Sequence, residues 1–99
     1  MKVKGLNGTV YSLEENPISS GGEGKIHSVI SDNSKLVKIY HPGTINANLE
    51  KKISYMVLNQ PSSSVFTQIA WPIDLAYDDN GKFCGFVMPR LNITNVLSD

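Results

Sequence analysis

Proline and glycine leave this chain room for only one helix of several turns. Between Pro42-Gly43 and Pro61, the residues Ile45, Leu49, Ile53, Met56 and Val57 recur at helical spacing. Thr44 stands where a capping hydroxyl belongs, and Pro61 sets the end. Elsewhere the apolar residues fall in short runs bounded by turn residues, which is the pattern of strands. Asn7-Gly8 reads as a two-residue type I′ turn between residues 1–6 and 9–13, since both central positions of that turn need positive φ. An extended run over 15–20 leads into Gly21-Gly22-Glu23-Gly24. A strand through His27 and Val29 then closes near Asp32-Asn33-Ser34, and residues 35–40 form the next strand. After the helix comes a polar loop over 60–64, a strand over 73–77 behind Pro72, a turn at Asp78-Asp79-Asn80-Gly81, and a last strand over 83–88. Links this short permit antiparallel hairpins and no parallel crossover. The expectation is a single α+β domain over residues 1–99, with a five-stranded antiparallel sheet, one helix packed on a face, and a small hairpin ahead of it.

Charge and cysteine usage remove several function classes. Nine Lys and Arg balance nine Asp and Glu, so no basic field draws in nucleic acid or an anionic membrane. No apolar run approaches the roughly 20 residues that span a bilayer, and the start of the chain has no apolar stretch of a signal peptide. The lone Cys84 cannot form an internal disulfide and reads as an inert core thiol, which places the protein in the cytoplasm. His27 and His41 lie apart, without Cys or carboxylate at ligand spacing, so no metal site is expected. Asp78 and Asp79 are a turn pair and not an acid/base dyad, and Trp71 is a packing residue at the corner between helix and sheet.

The sharpest local feature is the glycine turn at residues 19–26, Ser-Ser-Gly-Gly-Glu-Gly-Lys-Ile, because it joins two strands. A dinucleotide fingerprint or Walker loop must open a helix, whereas a kinase-type glycine loop folds over phosphates as a hairpin whose backbone N–H groups approach the anion. Read alone, the turn is an ordinary hairpin. One strand later, Leu36-Val37-Lys38-Ile39-Tyr40 puts a lysine inside an apolar run, where burial is costly unless an anion meets it. The helix that follows carries a single acidic residue, Glu50, able to pair with Lys38 and hold it toward phosphate oxygens.

In this order the residues resemble a protein-kinase amino-terminal lobe. More specifically, they resemble a bacterial protein-kinase-like family with a Gly-Gly-Glu-Gly loop, a Lys-Ile-Tyr strand, a Trp-Pro pair and a Gly-Phe-x-Met-Pro strand and hinge. Here these are residues 21–24, Lys38-Ile39-Tyr40, Trp71-Pro72 and Gly85-Phe86-Val87-Met88-Pro89, and the likeness covers Tyr11 through Leu91. It implies an ATP site. Ser20, Gly21, Gly22, Glu23 and Gly24 would cradle the phosphates, Ile26 would lie over the base, and Lys38 would hold the α- and β-phosphates with Glu50 as its partner. Met88 would be the gatekeeper, Pro89 and Leu91 would offer backbone groups to adenine, and Asn95 falls where a ribose contact occurs. Ser19 in place of the first glycine, Leu36 where a small residue commonly floors the adenine, and Ser54 one turn after Glu50 depart from the family pattern.

No His-Arg-Asp catalytic loop and no Asp-Phe-Gly metal-binding segment occur, so the base and the Mg²⁺ ligands of phosphoryl transfer are absent from this chain. The expectation is an ATP-binding lobe of a serine/threonine-protein-kinase-like protein that is not catalytic by itself. Residues 92–99 would begin the connection to a missing larger lobe, as in a truncated chain or split gene product. The alternative is a non-catalytic, pseudokinase-type module that binds a protein partner. Without the larger lobe, Ile53, Met56, Val65, Phe66 and Ile69 are expected to form an uncovered apolar face, leading to self-association directly or by exchange of the 91–99 tail.

Overall fold

The computed structural model describes residues 1–60 and 71–90. The expectations for the 61–64 loop, for Val65, Phe66 and Ile69, and for the tail with Leu91 and Asn95 lie outside the described residues. Seven strands form one antiparallel sheet: β1 (Lys2–Lys4), β2 (Val10–Ser12), β3 (Ser19–Ser20), β4 (Gly24–Val29), β5 (Asp32–Tyr40), β6 (Asp74–Tyr77) and β7 (Phe83–Pro89). Their spatial order is β2-β1-β6-β7-β5-β4-β3, and one helix, α1 (Ala47–Leu58), follows β5. The α+β class is as expected, but the described residues form seven strands and not five. The amino-terminal hairpin does not stand ahead of the sheet, because β1 pairs with β6, Lys4 opposite Tyr77.

The sheet curls until its ends meet. Leu13 bridges Val29, the Glu14 amide donates to the Ser28 carbonyl (3.0 Å), and the Ile30 amide donates to the Ser12 carbonyl (2.7 Å). The stretch leaving β2 therefore crosses from β1 to β4. Inside the curl pack Val3, Tyr11, Leu13, Val29, Val37, Ala76, Cys84 and Val87. Strand alternation sends the other residues outward: Leu36 and Tyr40 of β5 lie on the face where Ile53, Leu49, Met56 and Val57 of α1 cover Leu75, Phe83, Phe86 and Met88. A bulge serves both layers. Ala76 faces Gly85 and Tyr77 faces Phe83, so Cys84 is an extra residue that stays inside while Phe83 and Phe86 both reach the helix.

Local chemistry explains the ends of these elements and corrects several expected boundaries. Thr44 does not cap the helix: Pro42–Thr44 form a short 3-10 turn, and Asn46 caps α1 by accepting the Leu49 amide at 2.8 Å. At the other end, the Trp71 indole Nε1 donates to the Met56 carbonyl (2.7 Å) and ties the helix to the chain entering β6. The first hairpin is not type I′, since Asn7 has no positive φ. Gly8 (φ 83°) instead follows a turn closed by its amide on the Gly5 carbonyl, while the Gly5 amide donates to Thr9. The β6–β7 hairpin repeats that arrangement with Gly81 (φ 76°), Asp78 and Lys82. Asp32 already belongs to β5, so the β4–β5 turn sits at Ile30 and Ser31 rather than at residues 32–34.

Two carboxylates have contrasting roles, one joining the first hairpin to β6 and the other local to the start of β5. Asp74 accepts the Leu6 amide (2.9 Å) and the Tyr11 hydroxyl (2.6 Å), locking the first hairpin onto β6; burial first and this bond second push the Tyr11 phenol well above its usual range. Asp32 pairs with Lys35 (2.5 Å) and also accepts from Ser34, and these contacts hold its carboxyl down at about 2. The buried His27 uses Nδ1 to donate to the Glu14 carbonyl (2.8 Å), a structural role. Ile53 is buried and Met56 packs beside it, so neither forms the bare face expected of them; the large apolar residues that α1 exposes are Tyr55 and Leu58. No described helix is long and apolar enough to cross a membrane.

Candidate functional site

Alternation along β5 places Lys38 on the outer face of the sheet, opposite Ile26 of β4 and Phe86 of β7. Its ammonium therefore rises from an apolar floor and must find an anion or water. It finds Glu23. The Lys38 Nζ donates to Glu23 Oε1 at 3.0 Å, and the same ammonium lies 5.3 Å from the centre of the Tyr40 ring. The bond to Lys38 is the main reason the Glu23 carboxyl sits below its ordinary range.

The loop that carries Glu23 is held by backbone bonds. The Gly21 amide donates to the Gly24 carbonyl (2.9 Å), and the His41 amide donates to the Glu23 carbonyl (2.8 Å). His41 Nε2 lies 3.0 Å from the Gly21 carbonyl, which only accepts, so that nitrogen carries the proton. Gly24 is glycine for packing: a β-carbon there would press on the β5 backbone, 2.8 Å from Tyr40 Cα. Gly21 and Gly22 are different. Neither has a positive φ, and a β-carbon on either would meet nothing within 4 Å. The amides of Gly22 and Glu23 donate to no described residue. The loop thus presents open backbone above a lysine.

Residues 19–24, Ile26 and Lys38 enclose a groove of about 190 Å³. Whole small-molecule sites usually measure roughly 300–1,000 Å³, so this groove accommodates the charged end of a ligand and not all of a nucleotide. Of the residues expected to form a site, the structure brings together Ser20, Gly21, Gly22, Glu23, Gly24, Ile26 and Lys38. It does not bring in Glu50, Met88 or Pro89. Among the described residues the ion pairs are Lys35–Asp32 and Lys38–Glu23, so the expected Lys38–Glu50 pair is not formed. Glu50 lies in the first turn of α1, beside a separate hollow of about 870 Å³ shared with Tyr40, Ile45, Asn46, Asp78 and Phe83. Met88 is buried under the helix opposite Leu36, and Pro89 ends β7 opposite Lys35. Leu91 lies outside the described residues.

Sequence reasoning gave Glu23 a place in the loop but not as the partner of Lys38. The signal was present, since Glu23 is the one acidic side chain among residues 19–26. Two structural anchors were also missed. Arg90 donates from Nε to the Asn33 carbonyl (2.7 Å) and from its guanidinium to Ser28 Oγ (2.8 Å), clamping the end of β7 across the β4–β5 turn. Asp74, a charge inside an apolar run, was the visible mark of the other. Cys84 is buried, and burial is the chief cause that pushes its thiol up to about 11, as suits a packing residue. Among the described residues no group of three or more His, Cys, Asp or Glu is placed to hold a metal ion. No protein family, no curated protein and no solved structure matches this chain.

Proposed function

We propose that this chain is a nucleotide-binding lobe of the protein-kinase-like type, which takes the phosphates of ATP beneath the 21–24 loop with Lys38 as the cation. The observation that carries the reading is that Lys38, rising from an apolar strand under a glycine hairpin, already holds an oxyanion, the carboxylate of Glu23. Two features support it: the amides of Gly22 and Glu23, which donate to no described residue, and glycines at 21 and 22 that neither φ nor packing among the described residues requires. Backbone N–H groups without an acceptor among the described residues and an ammonium, on residues that line one open groove, suit phosphate oxygens. So does the order of parts, with a glycine hairpin, a lysine on the next strand and then a helix bearing a carboxylate.

The residues present fit the phosphates of ATP but not its Mg²⁺, for which the described residues offer no ligand set. Binding is accordingly the proposed activity, and phosphoryl transfer is not assigned to this chain. A second reading, an interaction module that recruits a protein partner, is favoured by the exposed Tyr55 and Leu58 on the outer side of α1. Calorimetric titration with ATP and with inorganic tripolyphosphate separates the two. Dissociation constants of about 1 mM are expected for a half-open groove, with the signal lost in Lys38→Ala while its melting temperature stays near that of the parent. Equal binding by Lys38→Ala, or none by the parent at about 10 mM ligand, would refute the phosphate reading.

A further inference from the structure

We infer that Glu23 is a built-in competitor for the groove: its carboxylate holds the position on Lys38 that a phosphate oxygen takes, and binding requires it to swing away. The inference rests on the phosphate reading above and concerns how that site is kept closed. Three observations carry it. The Glu23 carboxylate sits on the Lys38 ammonium at 3.0 Å, with its own side chain 70% exposed against 22% for the lysine, so the acid is the outer member and the lysine the inner one. Among the described residues, Lys38 alone binds the Glu23 side chain. The backbone of the loop is fastened by other bonds, through the Glu23 carbonyl to His41 and from Gly21 to Gly24.

Rotation about the side-chain torsions of Glu23 therefore carries the carboxylate into water while the loop stays in place. Like any glutamate it is charged at neutral pH, and the bond to Lys38, with a smaller contribution from the charge of Lys52, lowers its proton affinity further. An arriving phosphate that left Glu23 in position would meet a like charge a few ångströms away. Displacement is thus the low-energy route, and it frees the ammonium in a groove where the amides of Gly22 and Glu23 donate to no described residue. A tethered acid of this kind lowers the affinity of every anion that needs Lys38, because it reduces the fraction of chains whose groove is open.

The test uses the full chain and Glu23→Gln, titrated with inorganic tripolyphosphate and with sulfate, while the Lys38 ammonium is followed by NMR. Both anions are expected to bind about threefold more tightly to Glu23→Gln, the scale set by one exposed ion pair. The Lys38 resonance should differ between the two free proteins and converge once both are saturated with tripolyphosphate. If the parent binds tripolyphosphate and Glu23→Gln binds it equally or less well, Glu23 is not a competitor and the inference fails while the phosphate reading stands. If neither protein binds it, both fall together.

Discussion

Replacing Gly85 with alanine is expected to destabilise the domain by about 3 kcal/mol, a figure that comes from how closely β5 and β7 approach. A β-carbon at position 85 would overlap the Lys38 carbonyl oxygen and lie 2.9 Å from the Lys38 carbonyl carbon and 3.2 Å from Ile39 Cα. These are backbone atoms of a neighbouring strand, so no side chain can rotate away to relieve the contact. Restoring ordinary carbon separations would push β5 back by about half an ångström at carbon and further at oxygen. That shift stretches the ladder through the Lys38–Phe86 and Ile39–Gly85 pairs and loosens Val37 and Val87, both fully buried. Overpacking of this kind costs about 1–3 kcal/mol, each weakened ladder bond about 1 kcal/mol more, and the lower entropy of the unfolded alanine chain returns under about 1 kcal/mol. For a domain of this size the net loss corresponds to a fall in Tm of roughly 15 °C. Thermal unfolding followed by far-UV circular dichroism measures it, with Gly21→Ala as the control. Gly21 has open space around the added carbon and no positive φ, so that variant should melt within about 2 °C of the parent. A Gly85→Ala protein that melts alongside the control would refute the close approach, and with it the register that places Lys38.

Other expected outcomes follow from single contacts. Asn46→Ala removes the acceptor of the Leu49 amide and should cost about 1 kcal/mol in urea unfolding, whereas Thr44→Ala should be neutral; the reverse ranking would return the cap to Thr44. With its thiol pushed from 9.0 to about 11, Cys84 should react with iodoacetamide about 100-fold more slowly in the folded chain than in urea. Because the unfolded thiol ionises first, its contribution to stability is intact below pH 9 and lost as the pH rises to about 11, and Cys84→Ala should flatten that alkaline loss.

The sequence made the outer part of the sheet readable and hid its closure. Strand runs, the lone helix and the β6–β7 turn are local patterns of apolar spacing and turn residues, and they lie close to where they were expected. Nothing local announces that Lys4 pairs with Tyr77 or that Leu13 bridges Val29, since those contacts join segments whose sequences are individually ordinary. Asn7-Gly8 misled because one left-handed glycine satisfies the turn, and the dipeptide signal does not tell one positive φ from two. At the candidate site, spacing pointed to the loop and Lys38 but not to the carboxylate that Lys38 holds: chain order favoured Glu50, while the geometry of a tight hairpin hangs Glu23 over the cross-strand neighbour of Ile26.

The pairing of β1 with β6 also determines when this chain can fold. β1 has as its neighbour a strand made long after it, so a growing chain holds Val3, Tyr11 and Leu13 without their final cover until β6 and β7 have left the ribosome. Closing so long a loop costs chain entropy before any of the enclosed contacts repay it, which slows the reaction toward the millisecond-to-second range typical of non-local β topologies. Throughout that interval the free edge of β1 is at its most available to another nascent chain, and its pairing with β6 is the step that withdraws it.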